Sequence, residues 1–434
     1  MQNEPENLME KIQSLAKRRG FVYQGSEIYG GLAGTWDYGP LGVALKNNIK
    51  ESWRKKFVSS KSDMYEIDAA ILMNSKVWEA SGHVNTFTDP LVECTKCKRR
   101  FREDQLKEAG KCDECGASVG APRNFNMMFS TKIGAMEDSA STVYLRPETA
   151  QGIFVNFKNI VDSFHPKLPF GIAQIGKAFR NEITPRDFVF RVREFEQMEI
   201  EYFVKPDDWQ KYFEYYKDEM LEWMEDLGID MSKVHELEVE PDDLAHYSKR
   251  TVDFEFDFPF GKKELYGLAY RTNFDLTNHA LEFQDEEGAE KMTPHVIEPS
   301  FGVDRSVLAL LASAYDESDP ERPFLKFKPA IAPVVCAVSP LLKNKPELVE
   351  KAKFVYGMLK AEFGRVMWDD NGNIGKRYRR QDEIGTPWCI VIDFDTLGEE
   401  NPAHKDTVTI RDRDTGNQER VAIHDLISKI KEQL

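Results

Sequence analysis

Hydrophobic and polar positions alternate most clearly along the stretch 170–203, which reads as two strands joined by a short charged loop. Because successive side chains of a strand point to opposite faces, Arg180 and Glu182 are expected to project together from the first strand. The second strand has two faces: Phe195, Gln197, Glu199 and Glu201 on one, and Met198, Ile200 and Tyr202 on the other. An arginine, an aromatic ring and carboxylates around one cleft suit a phosphate, a flat base and an ammonium group.

The remaining pattern predicts two domains of different construction. Apolar residues at helical spacing predict helices at 8–19, 43–58, 149–160, 207–227 and 303–315. Alternating segments predict further strands at 64–72, 143–145, 252–276 and 296–301. This clustering of strands indicates an α+β domain over residues 1–325, in which helices flank an antiparallel sheet. Past a Pro-rich junction, strands alternate with helices, which indicates a small α/β domain over 326–434.

The composition is that of a globular chain. Its 434 residues are 41% hydrophobic and 30% charged, and this length suffices for two or three domains. No apolar run approaches the roughly 20 residues that span a bilayer. The polar start MQNEPENLMEKIQ has no apolar core of the signal-peptide kind. We therefore expect a cytoplasmic protein without a membrane partner.

The net charge of −16 is unevenly spread. Residues 326–434 hold 18 Lys and Arg against 17 Asp and Glu, a net charge of +1, which leaves −17 on the first 325 residues. Within the near-neutral part, four basic residues surround Tyr378: Lys376, Arg377, Arg379 and Arg380. Basic groups interleaved with an aromatic ring suit RNA, although a solvated basic loop is an equally good interpretation.

Four cysteines at Cys94, Cys97, Cys112 and Cys115 form two CxxC pairs inside an irregular segment, about 90–140, that interrupts the pattern. Two such pairs can close a tetrahedral shell of thiolates around zinc, and the polar loop between them needs such a cross-link to fold. We expect a structural Zn²⁺ rather than disulfides, since the chain is predicted to be cytoplasmic. Four reduced, metal-free cysteines are the alternative.

The hairpin is rich in arginine. Arg180 ends the first strand, and the loop that follows adds three more: Arg186, Arg191 and Arg193. Guanidinium groups bind phosphate oxygens in pairs, whereas the alternative is a surface hairpin crossed by salt bridges. In EPSFGVDR, Arg305 lies in the first turn of a predicted helix, where a cation opposes the helix dipole unless it faces an anion. Phosphate is the natural candidate.

Segments around these positions resemble the motifs of the class II aminoacyl-tRNA synthetases. DYGPLG with its helix and strand (about 36–70) resembles motif 1, FRNE and REFEQMEIE (within 170–203) resemble motif 2, and GVDRSVLALL (within 296–315) resembles motif 3. The segments YLRPETAQGIF, ELYGLAYRTNFDL and EPSFG extend the likeness to the compact, homodimeric glycyl-tRNA synthetases of bacteria. This resemblance covers essentially the whole chain.

The resemblance implies a class II catalytic domain over 1–325 and an anticodon-binding domain over 326–434. The catalytic domain would carry the Cys-rich insertion at about 90–140 and a second insertion at about 205–260. The enzyme would activate glycine with ATP and Mg²⁺ to glycyl-adenylate and transfer glycine to the 3′ end of tRNA(Gly). Motif 1 would pack against its twin in a homodimer.

The resemblance also implies roles for residues of the ATP site. Arg180 would hold the α-phosphate and Arg305 the γ-phosphate, and these two would be the catalytic residues. Glu182 would bind the adenine amino group, Phe195 would stack on adenine, and Arg191 or Arg193 would assist on the triphosphate. Further expected ATP contacts are Asn181, Phe190, Glu264, Leu265, Gly302 and Asp304. Glu264 and Glu298 are the candidates for Mg²⁺.

For glycine, the resemblance implies an ammonium pocket formed by Glu148, Glu199, Glu298 and Ser300. Arg271 would bind the glycine carboxylate, and Arg102 of the Cys-rich insertion would be a further contact. Phe195, Gln197 and Gly302 complete the expected pocket. Glycine has no side chain to recognise, so selectivity must come from excluding larger amino acids, and carboxylates clamped on the ammonium group can do so. Glu201 has no assigned role.

Two other functions remain open on sequence grounds. One is a synthetase-like protein that binds nucleic acid without catalysis, although such a protein is expected to lack the phosphate-binding residues, which are present here. The other is a class II synthetase for a different amino acid, which RPETAQGIF and EPSFG oppose. Pyrophosphate exchange with several amino acids distinguishes these readings.

Overall fold

The computed structural model describes residues 7–134, 142–285 and 290–434. The end of the predicted Cys-rich insertion, residues 135–140, lies outside these ranges, as do residues 1–6 of the predicted catalytic domain. Among the described residues, no helix has both the length and the apolar character that crossing a membrane requires.

A seven-stranded sheet is the centre of the larger domain. Its strands lie in the order Val234–Glu238, Arg250–Phe258, Gly261–Thr272, His295–Gly302, Glu194–Val204, Phe170–Phe179 and Met64–Ile67. All neighbours are antiparallel except the last pair, which is parallel. The predicted antiparallel sheet is therefore confirmed.

The two faces of this sheet pack against different helices. One face shares a large hydrophobic core with Leu8–Arg19, Pro40–Arg54, Trp209–Leu227 and Val303–Ala314. Met198, Ile200 and Tyr202 belong to that core, as the period-two pattern predicted. Phe170 and Phe203 lie in a second cluster with the helix Ala150–Phe164, on the face to which Glu199 and Glu201 also point.

Smaller elements surround this sheet. The Cys-rich insertion contains a three-stranded sheet in the order Arg100–Arg102, Thr88–Glu93 and Arg123–Asn126. A second small sheet joins Leu72–Met73, Thr142–Leu145 and Ser130–Lys132. Two-stranded sheets pair Val22–Gln24 with Trp36–Tyr38 and Tyr315–Asp316 with Phe324–Leu325. Short helices are Ser75–Ala80, His83–Thr86 and Phe274–Asn278, and the helix from Pro40 continues as a π-helix over Lys55–Ser59.

The C-terminal domain is a five-stranded mixed sheet with its own core. Its strands lie in the order Val366–Trp368, Cys336–Pro340, Trp388–Ile392, Thr407–Asp412 and Gln418–Ala422, and the first three are parallel. The accompanying helices are Pro346–Phe363, Ile374–Glu383, Phe394–Leu397 and Leu426–Lys431. The predicted α/β domain is confirmed, and an apolar cluster separate from the main core holds it together.

Local signals account for the accuracy of several predicted boundaries. The helix Leu8–Arg19 begins where Asn7 and Glu10 form a capping box and ends at Gly20, whose φ of 80° suits glycine.

The first hairpin strand is shorter than predicted: it ends at Phe179, and Arg180 and Glu182 lie in the turn beyond it. The strands Val234–Glu238 and Gln418–Ala422 were missed because charged and polar residues dominate their exposed faces.

The basic cluster around Tyr378 is partly internal and partly exposed. Arg377 is buried and donates to the backbone carbonyls of Gly372 and Pro340, and Arg380 pairs with Asp369. On the neighbouring strand, Arg411 forms a buried bidentate pair with Asp382. These internal cations stabilise the domain, whereas Lys376 and Arg379 are exposed, and a contact of this cluster with RNA stays a prediction.

Candidate active site

A cavity of about 490 Å³ opens on the face of the large sheet to which Glu199 points. The hairpin, the strand His295–Gly302 and the helix after it meet there. Most of the predicted site residues line it, although they come from distant parts of the chain. Those at the cavity are Arg102, Glu148, Arg180, Glu182, Phe190, Arg191, Phe195, Gln197, Glu199, Glu264, Leu265, Glu298, Ser300, Gly302, Asp304 and Arg305.

Arg180 offers a free cation to this cavity. Its Nε donates to the carbonyl of Pro147 at 3.1 Å, and its guanidinium carbon lies 5.4 Å from the ring of Phe87 and 5.3 Å from that of Phe195. In the described part of the chain, no carboxylate lies within ion-pair distance of Arg180. A guanidinium fixed by rings and a carbonyl keeps donors for an anionic ligand.

Arg305 and Glu264 form a second charged element of the cavity wall. Arg305 Nη1 lies 2.9 Å from the Glu264 carbonyl and 3.2 Å from its carboxylate, and the guanidinium stands 4.5 Å from the ring of Phe190. The charge of Arg305 lowers the pKa of the Glu264 carboxyl, so Glu264 is ionised at neutral pH. This end of the cavity can hold a phosphate group and a cation together.

Two acceptors in the wall have no donor among the described residues. Glu182 Oε2 and Gln197 Oε1 are both buried and make no hydrogen bond. Burying a polar atom without a partner costs about 1–3 kcal/mol, so these oxygens are suited to donors of a ligand. Arg191 reaches the cavity from the loop and donates from Nη1 to Gln105 Oε1 at 2.8 Å, which links the loop to the Cys-rich insertion.

Carboxylates form the other part of the cavity. Thr149 donates to Glu199 Oε2 at 2.5 Å and Ser300 to Glu199 Oε1 at 2.9 Å, so both oxygens of Glu199 are oriented. Burial and the charge of Glu148 raise the pKa of Glu199. Burial alone would also raise the pKa of Glu148, but His83, Arg271 and Arg180 lower it below its ordinary value. The pocket therefore presents the charged carboxylate of Glu148 beside the oriented oxygens of Glu199, an arrangement suited to an ammonium group.

Arg271 does not occupy its predicted place at the cavity. It is 1% exposed and is bound to Asp275 at 2.7 and 2.9 Å and to Glu298 Oε1 at 2.7 Å, with the ring of Tyr247 at 3.7 Å. It therefore orients Glu298 from behind, and its contact with the glycine carboxylate stays a prediction that these ion pairs do not by themselves support. The same ion pair engages Glu298 Oε1, so Glu264 is the stronger of the two predicted Mg²⁺ candidates.

Three further predicted ATP contacts are tied to the protein itself. Arg193 donates to the carbonyls of Ala33 and Glu182, and the Asn181 backbone N–H donates to Met127. Neither residue lines the cavity. Asp304 reaches it, but both of its oxygens are already hydrogen-bonded. These contacts shape the site, and the direct binding of ATP by the three residues stays a prediction.

Arg102 lines the cavity, as predicted, but its guanidinium is already paired. Nη1 lies 2.9 Å from Asp89 Oδ2, and Nη2 lies 2.7 Å from Asp104 Oδ2. Any further contact of Arg102 with a ligand must therefore use the remaining edge of a guanidinium that two carboxylates hold.

Glu201 shares a strand face with Glu199, and the sequence assigns it no role. It is fully buried, both carboxylate oxygens lack a hydrogen-bond partner among the described residues, and it does not line the cavity. One carboxylate oxygen each of Glu199, Glu201 and Glu298 lies within 4.8 Å of the others. Burial first, and then the charge of Glu298, raises the pKa of Glu201 well above its ordinary value.

Some residues of the site were not predicted. Thr149 directly follows Glu148 in RPET, and its position next to a predicted site residue is the sequence signal that could have identified it. His83 and Phe87, in contact with Glu148 and Arg180, precede the Cys-rich insertion and carry no sequence signal that ties them to the cavity. Only the fold brings that segment to the site.

The four cysteines of the insertion come together. Cys94 Sγ lies 3.5 Å from Cys115 Sγ and Cys97 Sγ lies 3.6 Å from Cys112 Sγ, with all four sulfurs within 4.8 Å of one another. Tetrahedral zinc with bonds of about 2.3 Å places its sulfurs about 3.8 Å apart, so the cluster has the size of a zinc site. The Cys97 backbone N–H also points to Cys94 Sγ at 3.4 Å.

Two protein families match the chain. The tRNA synthetase class II core domain (G, H, P, S and T) matches residues 129–314, and the anticodon binding domain matches residues 335–433. The first range contains the hairpin and the helix that carries Arg305, and the second contains the five-stranded sheet. Together they define a class II aminoacyl-tRNA synthetase.

Curated relatives narrow this class. The chain is 50% identical to the glycine--tRNA ligase of Clostridium acetobutylicum, with 99% of each chain covered. It is 49% identical to that of Treponema denticola, over 98% of this chain and 97% of the relative, and 45% identical to that of Thermus thermophilus, over 99% of each. The chain belongs to the glycine--tRNA ligases.

Proposed function

We propose that this chain activates glycine with ATP to glycyl-adenylate and then transfers the glycyl group to the 3′ end of tRNA(Gly). The observation that carries the proposal is one cavity that joins Arg180, whose guanidinium has no carboxylate partner in the described part of the chain, to a pocket of oriented carboxylates around Glu199. A triphosphate needs the first, and the ammonium group of an amino acid needs the second.

The ATP half is assigned to the hairpin and to the helix that begins at Val303. Arg180 binds the α-phosphate, Arg305 the γ-phosphate, and Phe195 stacks on adenine. Glu182 Oε2, which is buried and has no hydrogen-bond donor among the described residues, accepts from the adenine amino group. This role accounts for its lack of a donor within the protein. Arg191, Phe190 and Leu265 complete the wall.

Magnesium is assigned to the wall that holds Glu264. An added Cβ at Gly267 would lie 3.8 Å from Asp253 Oδ1 and 3.9 Å from Glu264 Oε1, so two carboxylates face the same space. Oxygen ligands of this kind suit Mg²⁺, which would neutralise charge on the triphosphate. Glu264 is therefore the chain's principal candidate ligand.

The glycine half is assigned to Glu148, Glu199, Glu298 and Ser300. Glu199 is held by two hydroxyl donors and Glu298 by Arg271, so the carboxylates cannot easily move aside. An amino acid with a side chain would have to displace a charged partner. In a hydrophobic pocket, the binding free energies of homologous amino acids differ by only about 1–3 kcal/mol per methylene. Rigidly held carboxylates around the ammonium group should therefore discriminate better against larger amino acids.

The first step needs positioning more than proton transfer. The glycine carboxylate oxygen attacks the α-phosphorus in line, a P–O bond forms, and pyrophosphate leaves. The nucleophile is already ionised, so no general base is required. Arg180 and Arg305 supply charge neutralisation in the transition state, a contribution of the kind that dominates phosphoryl transfer.

In the second step the 3′-hydroxyl of the terminal adenosine of tRNA attacks the adenylate carbonyl, and AMP leaves. We assign the hydroxyl proton to a phosphate oxygen of the departing AMP, because the carboxylates nearby are committed to the ammonium group. The domain over 326–434 is assigned to the anticodon, and the domain over 1–325 to both chemical steps.

We further assign a structural Zn²⁺ to the four cysteines, whose spacing fits tetrahedral coordination. Zinc would hold the insertion in the position from which Gln105 contacts Arg191. The protein's place is the cytoplasm, where tRNA is charged.

A homodimer is proposed on the basis of the segment that leads into motif 1. Several large hydrophobic side chains between residues 23 and 43 are exposed: Tyr23, Ile28, Tyr29, Leu32 and Val43. Apolar surface gathered in one segment of a chain is typical of a covered interface. Sedimentation equilibrium should give twice the chain mass of 50.0 kDa, and Ile28→Asp should shift the equilibrium toward the monomer.

Pyrophosphate exchange tests the function directly. We expect exchange with glycine to exceed exchange with alanine, serine, proline and threonine, followed by charging of tRNA(Gly). Exchange with none of these amino acids would favour a binding protein without catalysis. Faster exchange with another amino acid would overturn the specificity for glycine.

A further inference from the structure

The segment 81–87, just before the Cys-rich insertion, touches both halves of the cavity from behind. His83 Nε2 lies 3.3 Å from Glu148 Oε2, and the ring of Phe87 lies 5.4 Å from the guanidinium carbon of Arg180. One short helix, His83–Thr86, and the residue after it therefore contact a residue assigned to glycine and one assigned to phosphate.

His83 is held in a defined orientation. It is 5% exposed, its Nδ1 lies 2.8 Å from Ser81 Oγ, and its ring packs edge-on against Trp78 with centroids 5.4 Å apart. With Nδ1 engaged by Ser81, the other ring nitrogen is directed to Glu148. Gln151 Nε2 is the nearest donor on the second oxygen of Glu148, at 3.4 Å, a weak contact.

The segment is also anchored to the insertion. Asn126 Nδ2 donates to the carbonyl of Val84 at 2.8 Å, and the backbone N–H of Met127 donates to the carbonyl of Phe87 at 3.1 Å. His83 and Phe87 pack on each other with centroids 5.5 Å apart, so the two contacts share one support. A support of this kind reduces the freedom of the residues that must meet substrate.

We propose that His83 and Phe87 are positioning residues for the two substrates: His83 orients Glu148 toward the ammonium group of glycine, and Phe87 fixes Arg180 for the phosphate. The inference rests on the roles proposed above for Glu148 and Arg180. Neither His83 nor Phe87 lines the cavity, so both act through the residues they contact.

Amide variants of His83 test the first contact. Gln places its amide nitrogen near the position of Nε2, so His83→Gln should keep the KM for glycine within about threefold of the unaltered enzyme. Asn places its amide nitrogen near Nδ1 and cannot reach Glu148. Loss of a hydrogen bond to a charged group should make His83→Asn raise the KM for glycine about tenfold or more, with the KM for ATP and kcat nearly constant.

Ring variants of Phe87 test the second contact. Phe87→Leu removes a cation–π contact and should raise the KM for ATP about 3- to 30-fold, whereas Phe87→Tyr keeps the ring and should restore it. The KM for glycine should stay constant in both. Equal effects of Leu and Tyr at this position, or of Asn and Gln at position 83, would overturn the corresponding half of the inference.

Glu148→Gln separates this inference from the proposed function. If that variant leaves the KM for glycine unchanged, the role of Glu148 itself is wrong. If it raises the KM while His83→Asn does not, only the positioning role fails. Should His83→Asn not fold, Ser81→Ala decides: it frees Nδ1 and should raise the KM for glycine in the same direction, and an unchanged KM would overturn the proposal.

Discussion

The carboxylate of Asp304 accepts a hydrogen bond at 2.8 Å from the backbone N–H of Glu196, which ties the helix of motif 3 to the second hairpin strand. Lys46, on the helix of motif 1, lies 3.0 Å from the Glu196 carboxylate and 3.4 Å from that of Asp304. All three motifs therefore meet in one buried charge cluster, which fixes the cavity wall from behind.

Removal of Lys46 should be costly. Burial alone would lower the pKa of Lys46, but Asp304 and Glu196 raise it above its ordinary value, so the lysine is charged. Lys46→Met leaves the buried carboxylate of Asp304 without a cation and Glu196 with Lys50 alone, and should lower the free energy of unfolding by about 3–5 kcal/mol in urea denaturation. Lys50, 3.0 Å from the same Glu196, is more exposed. Lys50→Met is the matched control, and an equal loss there would contradict the account.

Arg180 should be essential for adenylate formation. Arg180→Ala should reduce pyrophosphate exchange by on the order of 10²–10³-fold without unfolding the protein, because the charge on the α-phosphate would lose its fixed partner. Arg180→Lys should restore little, since an ammonium group cannot grip two oxygens. Arg186, an exposed arginine of the same loop, pairs with Asp187 and lies outside the cavity. Arg186→Ala should exchange normally, and near-normal exchange by Arg180→Ala would refute the assignment.

The cysteine cluster predicts one zinc per chain. A metal assay on reduced protein should find it, and Cys112→Ser should lose it, whereas Cys336→Ser, in the C-terminal core, should keep it. Because Gln105 of the insertion contacts Arg191, loss of zinc should also raise the KM for ATP. A zinc content well below one per chain in the unaltered protein would disprove the site.

Glu201 predicts a pH-dependent stability. Its pKa is raised in the folded state by burial and by Glu298, so the folded chain keeps a proton that the unfolded chain releases above its ordinary pKa. The stabilisation is therefore complete at low pH and declines, by up to about 1.4 kcal/mol per pH unit, as pH rises toward the folded pKa. Glu201→Gln cannot lose a proton, so its unfolding free energy should vary less between pH 5 and 8. Parallel pH profiles for the two proteins would contradict this prediction.

The period-two pattern of the second hairpin strand was sufficient to assign its two faces. Glu199 points to the cavity and Met198 to the core because alternation is a local property of any strand. The first hairpin strand is shorter than its sequence pattern predicts, because the chain turns between Arg180 and Glu182. This turn is stabilised by Arg193, which comes from a later part of the hairpin and donates to the carbonyl of Glu182.

Arg271 shows where sequence reasoning was insufficient. Nothing in YRTNFD indicates that Asp275 and Glu298 occupy this guanidinium, because Glu298 comes from a different strand. The same applies to two arginines of the C-terminal domain. Arg377 donates to the carbonyl of Pro340, and Arg411 is paired with Asp382. Whether a basic residue seen in sequence remains available to a ligand therefore depends on the groups that the fold places around it.

The sequence by itself determined most of the elements, the two kinds of fold, the family likeness and most of the residues at the cavity, because hydrophobic periodicity and short motifs are local. The tertiary structure decided which charges remain for substrates and which neutralise each other. Among the described residues, Arg180 has no carboxylate at ion-pair distance, Arg271 is bound by two, and the buried carboxylate of Glu201 has no hydrogen-bond partner. Those outcomes depend on distances between segments far apart in the chain, and pairing at a few ångströms is what sets the state of a buried charge.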